Sequence, residues 1–214
     1  MSKKREISPA QKLAECAIML ALSVLLNAFP IYKMPMGGDV TLFCQLPIVV
    51  VSYRHGLRWG LLTGFAMGVI QMLFGLSNFS YVAGIVAYLV VAFADYLIAF
   101  SALGLGGIFR KSIQNQALSL AAGGALVSLI RFVCHFVSGV TVWADYAGGA
   151  KAVWLYSLGY NGTFMGAELI LTVIGALALG SLLDFRYERI RSLRRSKQIA
   201  ADDAAPAPED TDAE

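Results

Sequence analysis

The chain has little charge. Asp, Glu, Lys and Arg make up 14% of its 214 residues, where an ordinary soluble domain carries about a quarter. With 57% hydrophobic residues and a mean hydropathy of +0.65, most of the chain has lipid as its solvent. Cysteine is scarce too. Cys16, Cys44 and Cys134 stand far apart inside apolar stretches, odd in number and without C-x-x-C spacing, so neither a disulfide framework nor a zinc site is expected. No Gly-Lys dipeptide occurs, which excludes the G-x-x-x-x-G-K-[ST] phosphate cradle and with it ATP hydrolysis by this chain. H-E-x-x-H and G-x-S-x-G are missing as well, and the histidines number two. Enzyme readings are therefore short of parts, and no metal, cofactor or nucleic-acid partner is expected. Nor does the helix pattern repeat, so the inverted-repeat logic of many secondary transporters finds no support.

What the chain has instead is long apolar runs. They cover residues 13–29, 41–53, 57–76, 81–109, 117–143 and 160–183. A span needs about 20 residues to cross a hydrocarbon core of about 30 Å, so the second run is short and must borrow from the loop before it. The first follows Lys3, Lys4 and Arg5 but is longer than the apolar part of a signal peptide and is read as helix one. The fold class expected is an all-α membrane protein, a bundle of six transmembrane helices.

Basic residues orient the bundle. Of 17 Lys and Arg, all but Lys33, Arg131 and Lys151 fall in the N-terminus, the second and fourth loops and the C-terminal flank. Cytoplasmic loops are the ones enriched in Lys and Arg, which places both termini in the cytoplasm. The organisation expected is a basic N-terminus (residues 1–11), a six-helix substrate-binding domain (12–185), a basic flank (186–198) and an acidic, Pro/Ala-rich disordered tail (199–214).

The informative side chains are ionisable ones inside apolar runs: Asp95, Arg131, His135 and Glu168. Each costs on the order of 2.5–3.5 kcal/mol at a bilayer centre and so needs a partner, a cavity or a function. Arg131 with Glu168 suggests an internal ion pair, and Asp95 and His135 suggest either helix–helix hydrogen bonds or a site. Arg131 and His135 are four apart and Asn161 and Glu168 seven apart, so each pair shares a helix face. Aromatic residues gather near the outer ends: Tyr32, Tyr81, Trp143, Tyr146, Trp154, Tyr156 and Tyr160. An interfacial belt accounts for many of these. Together with a carboxylate, a histidine and an asparagine on three segments, they also describe a pocket for a flat, cationic, hydrogen-bonding small molecule.

Five runs carry a resemblance. They are M-P-M-G-G-D-V-T-L (34–42), L-P-I-V-V-V-S-Y-R-H-G (46–56), A-D-Y-L-I-A-F (94–100), R-F-V-C-H-F-V-S-G-V (131–140) followed by Trp143, and V-W-L-Y-S-L-G-Y-N-G (153–162). In order and spacing the chain resembles the substrate-binding S components of energy-coupling factor vitamin transporters, and among them the thiamine-specific S component, over residues 12–183. The resemblance implies that Asp95, Tyr96, His135, Trp143, Tyr156 and Asn161 surround the ligand. Near the start of helix two some members supply a further carboxylate and a tryptophan. Here Leu42 and Gly38 stand at those positions, and Asp39 is the residue placed to substitute. Glu168 has no counterpart in the family pattern.

In the family, a face of helix one docks a membrane partner; the matching small pair here is Ala17 and Ala21. The partners implied are thiamine, a transmembrane coupling (T) component and two ATPase subunits, acting in a bacterial plasma membrane by toppling of the loaded subunit. Alternatives in the same class are riboflavin, biotin or hydroxymethylpyrimidine as the ligand. A different class would be an intramembrane enzyme using His135 with Asp95 or Glu168.

Overall fold

The computed structural model describes residues 7–34, 38–144, 153–186 and 190–204. Lys3, Lys4, Arg5, Tyr146, Lys151, Arg189 and residues 205–214 of the expected tail lie outside the described residues.

Among the described residues, seven helices order the chain. Helix α1 (Pro9–Ala28) starts where Ser8 accepts a hydrogen bond from the Gln11 amide and Pro9 occupies the first turn, a position where its missing N–H costs nothing. The others are α2 (Leu46–His55), α3 (Leu57–Phe74), α4 (Ile85–Arg110), α5 (Gln116–Thr141), capped by Asn115, α6 (Val153–Leu182) and α7 (Leu193–Ala204). Among the described residues five of them, α1, α3, α4, α5 and α6, are long and apolar enough to cross a bilayer. Their outer faces carry large apolar side chains such as Phe74, Ile85 and Leu155, each exposed by two thirds or more. Such a surface is stable only in lipid, and the chain is a multi-pass membrane protein.

The second apolar run behaves differently. At ten residues, α2 is about 15 Å long, half of a bilayer core. Every residue from Leu46 to Arg54 is buried, so α2 is packed inside the bundle, away from lipid. Ahead of it, β1 (Tyr32–Lys33) and β2 (Asp39–Val40) pair antiparallel, Tyr32 opposite Val40 and Lys33 opposite Asp39. Non-helical backbone at membrane depth is tolerated when protein encloses it. That condition is met at Thr41, which is buried and whose N–H donates to Glu168 Oε1 at 2.9 Å.

Helices α3 and α4 touch along glycine. A Cβ at Gly60 would stand 2.8 Å from the Gly104 carbonyl oxygen, one at Gly64 2.5 Å from that of Phe100, and one at Gly68 2.9 Å from that of Tyr96. The stripe repeats every four residues on both helices in opposite senses, so the two backbones lie against each other antiparallel. Gly64→Val should push them apart and cost about 1–3 kcal/mol, read as a lower melting temperature in detergent. An unchanged melting temperature would show that the crossing relaxes freely.

Behind α6 the chain turns through β3 (Leu183–Asp184), paired with β4 (Arg191–Ser192), into α7. Arg186 Nη2 lies 2.7 Å from the fully buried Asp184 carboxylate and holds its carboxyl below the usual range. Helix α7 includes residues 199–204, the first part of the stretch that composition assigns to a disordered tail. Alanines 200, 201 and 204 are the strongest helix formers available there and extend the helix begun at Leu193.

Candidate binding cavity

Helices α1, α3, α4, α5 and α6 and the β1–β2 segment enclose a cavity of about 540 Å³, within the usual range of small-molecule sites. Asp39, Asp95, Tyr96, His135, Trp143, Tyr156 and Asn161, the residues singled out in the sequence, all line it.

Helix α4 supplies Asp95 and Tyr96. Neighbours on a regular α-helix point about 100° apart, but here residues Val91–Ile98 form a π-helical stretch. Such stretches are rare and occur often at functional sites. Across from it on α5, His135 Nδ1 lies 3.0 Å from Asp95 Oδ1, Ser138 Oγ donates to Oδ2 at 2.7 Å and Trp143 Nε1 to Oδ2 at 3.5 Å. None of these partners is Lys or Arg. With Nδ1 facing the carboxylate, the ring turns its other nitrogen, Nε2, away from Asp95. That atom is buried and has no partner among the described residues. The Tyr96 hydroxyl accepts from Asn78 Nδ2 at 2.9 Å and stands 3.4 Å from the Gly75 carbonyl.

The α6 wall follows from helical spacing. Tyr156, Tyr160 and Phe164 recur every four residues, and Ser157, Asn161 and Glu168 fall on the same side, so one face presents both rings and polar groups to the cavity. Tyr156 and Tyr160 stack with centroids 5.8 Å apart, and Phe164 meets both Tyr160 and His135 edge-on. Asn161 Nδ2 donates to the His135 carbonyl at 3.2 Å, which ties α6 to α5 beside the histidine. Phe164 also seats Gly38: with φ at +91°, a Cβ there would lie 2.9 Å from the ring, so only glycine fits.

The expected ion pair is present, with Arg131 Nη1 at 3.0 Å from Glu168 Oε2. The Arg131 guanidinium also lies over the Phe100 ring, 4.6 Å from its centroid. Both Arg131 and Glu168 reach the cavity. Asp39 sits opposite Lys33 in the β pair. Of the outer aromatics, Trp143, Tyr156 and Tyr160 line the cavity, whereas Tyr32, Tyr81 and Trp154 are more than half exposed, as belt residues are.

Sequence reasoning missed Phe164, Ser138 and the amide wall of Asn27, Gln71 and Asn78. Phe164 was recoverable from the four-residue spacing with Tyr156 and Tyr160. Asn27 and Gln71 carried no such signal; they hydrogen-bond each other at 2.9 Å between α1 and α3, a pairing that only the packing creates. Ala17 and Ala21 do not line the cavity. Both are exposed on α1, whose buried residues are Cys16 and Ser23.

Residues 13–184 match the family described as thiamine transporter protein (Thia_YuaJ). The chain is 33% identical to the thiamine transporter ThiT of Bacillus subtilis over 174 residues, covering 76% of this chain and 86% of that one. It is 29% identical to ThiT of Lacticaseibacillus paracasei over 179 residues, covering 79% and 85%. A solved structure of ThiT from Listeria monocytogenes shares the fold, with a TM-score of 0.63 at 24% identity over 79% of this chain and 92% of that chain. These relatives are named for transport and not for catalysis, which sets aside the intramembrane enzyme using His135 with Asp95 or Glu168. With four fifths of its length matched by the family and every membrane-crossing helix inside or overlapping that stretch, the chain belongs to the thiamine transporter family.

Proposed function

We propose that this protein binds thiamine from outside the cell and is the substrate-binding S component of an energy-coupling factor importer in a bacterial plasma membrane. The observation that carries the reading is Asp95: a carboxylate on the wall of an aromatic cavity, held by His135, Ser138 and Trp143 and by no Lys or Arg among the described residues. A thiazolium ring supplies the missing cation. His135 Nε2, which has no partner among the described residues, takes a hydrogen bond from the aminopyrimidine, while Trp143 and Tyr156 stack on the rings and Tyr96 and Asn161 read remaining polar atoms. Asp39 contributes from the β1–β2 segment.

In this reading α2 with the segment before it makes the sixth crossing, both termini are cytoplasmic, and residues 12–185 are the working domain between basic flanks. Energy comes from a T component and two ATPase subunits, with the T component docking on Ala17 and Ala21, and the loaded subunit topples to deliver its cargo inward. The test is a thermal shift of the detergent-solubilised protein against thiamine, riboflavin, biotin and hydroxymethylpyrimidine. Ligand at a thousand times its Kd stabilises by about 4 kcal/mol, a rise on the order of 10 °C for a chain of this size. Thiamine should give that rise with no turnover. A larger rise with another vitamin would reassign the substrate.

A further inference from the structure

Glu168 has more partners than an ion pair requires. Its carboxylate, on α6 and 3% exposed, divides them between its oxygens. Oε1 accepts from the Thr41 amide at 2.9 Å and from the Thr41 hydroxyl, and Oε2 accepts from Gln45 Nε2 at 2.8 Å and from Arg131 Nη1 at 3.0 Å. One carboxylate on α6, oriented by an arginine on α5, thus grips both ends of the short segment between β2 and α2.

That segment needs holding. Between Thr41 and Gln45, Phe43 has φ at +63°, the only non-glycine residue with positive φ among those described. A bulky side chain in the left-handed region is costly and persists only where its surroundings over-determine it. The same segment continues directly from Asp39, which lines the cavity. Charge and geometry agree here: both carboxylate oxygens are hydrogen-bonded, and those of Oε1 run to Thr41, two residues beyond the cavity-lining Asp39.

We propose that Glu168 is a positioning residue, a latch that holds residues 39–45 against the cavity and so sets how long ligand stays bound. The retention half of this rests on the thiamine reading; the latch itself does not. Glu168→Gln keeps the size but turns one oxygen into a donor, which in either amide orientation faces groups that themselves donate, Thr41 on one side or Gln45 and Arg131 on the other. Thr41→Val removes one donor and leaves the Arg131–Glu168 pair in place, so it reports on the latch even if Glu168→Gln fails to fold.

Hydrogen–deuterium exchange of the ligand-free protein reads the latch directly. Exchange at the amides of residues 39–45 should rise about tenfold or more in Glu168→Gln and about threefold in Thr41→Val, while α5 and α6 keep their wild-type protection. Thiamine dissociation should quicken by similar factors, with association within about twofold of wild type. Unchanged exchange at 39–45 in the folded variants overturns the latch, as does a rise spread equally over α5 and α6, which would mark Glu168 as a general support of the fold. If exchange responds but the wild type binds no thiamine, the latch stands and the thiamine reading falls. If thiamine binds and exchange does not respond, the reverse holds.

Discussion

Asp95→Asn should weaken thiamine binding by about 2 kcal/mol or more, roughly thirtyfold, because a buried cation left without its carboxylate keeps its desolvation cost and loses its partner. Asparagine preserves the size and one acceptor, so Ser138 and Trp143 still have an oxygen to face. Isothermal titration with thiamine and with a neutral analogue lacking the thiazolium charge separates charge from shape. The analogue should lose little in the variant. Equal losses for the two ligands would mean that Asp95 reads the pyrimidine or holds α4 to α5 through His135, and the charge pairing would be withdrawn. Tyr156→Phe removes a hydroxyl but keeps the ring stacked on Tyr160, and should cost less, about 1 kcal/mol. His135→Ala and Trp143→Ala each delete an aromatic face and should cost about 1–2 kcal/mol.

Cells carrying Ala17→Leu together with Ala21→Leu should fail to take up thiamine while the purified protein still binds it within about twofold of wild type. The two alanines are one turn apart on the exposed side of α1, and small residues at that spacing let another helix approach closely. Leucine at both positions holds the partner away. It does not reach the cavity, to which α1 contributes through Asn27 and Ala28 in its last turn. The bundle grips α1 elsewhere: Glu15 pairs with Arg54 at 2.6 Å and with His55 at 2.8 Å, and Ser23 bonds the Cys44 carbonyl. Lost binding in the double variant would move the docking surface off this face. Retained uptake would do the same.

Much of the site was legible in the sequence because membrane insertion penalises ionisable groups so heavily. Asp95, Arg131, His135 and Glu168 stood out against apolar runs, and in the structure all four lie on one cavity. The helices were legible for the same reason, with errors where polarity broke the runs. Helix α6 begins at Val153, seven residues before the sequence places it, because Tyr156 and Ser157 lower the hydropathy of its first turns while facing the cavity. Trp143 falls just past the end of α5 at Thr141, not on the span.

By itself, then, the sequence determined that the chain lives in lipid, roughly where its long helices run, and which buried polar side chains demand an explanation. Hydropathy and the cost of desolvating charge are properties of residues taken one at a time or along a single helix. Only the tertiary structure decided that α2 is a half-length helix enclosed by the others, that a π-helical turn presents Asp95 and Tyr96 to one cavity, and that Glu168 reaches across 127 positions of chain to hold Thr41. Those outcomes depend on which faces of different helices meet, and no local pattern encodes a contact whose two halves lie on separate elements.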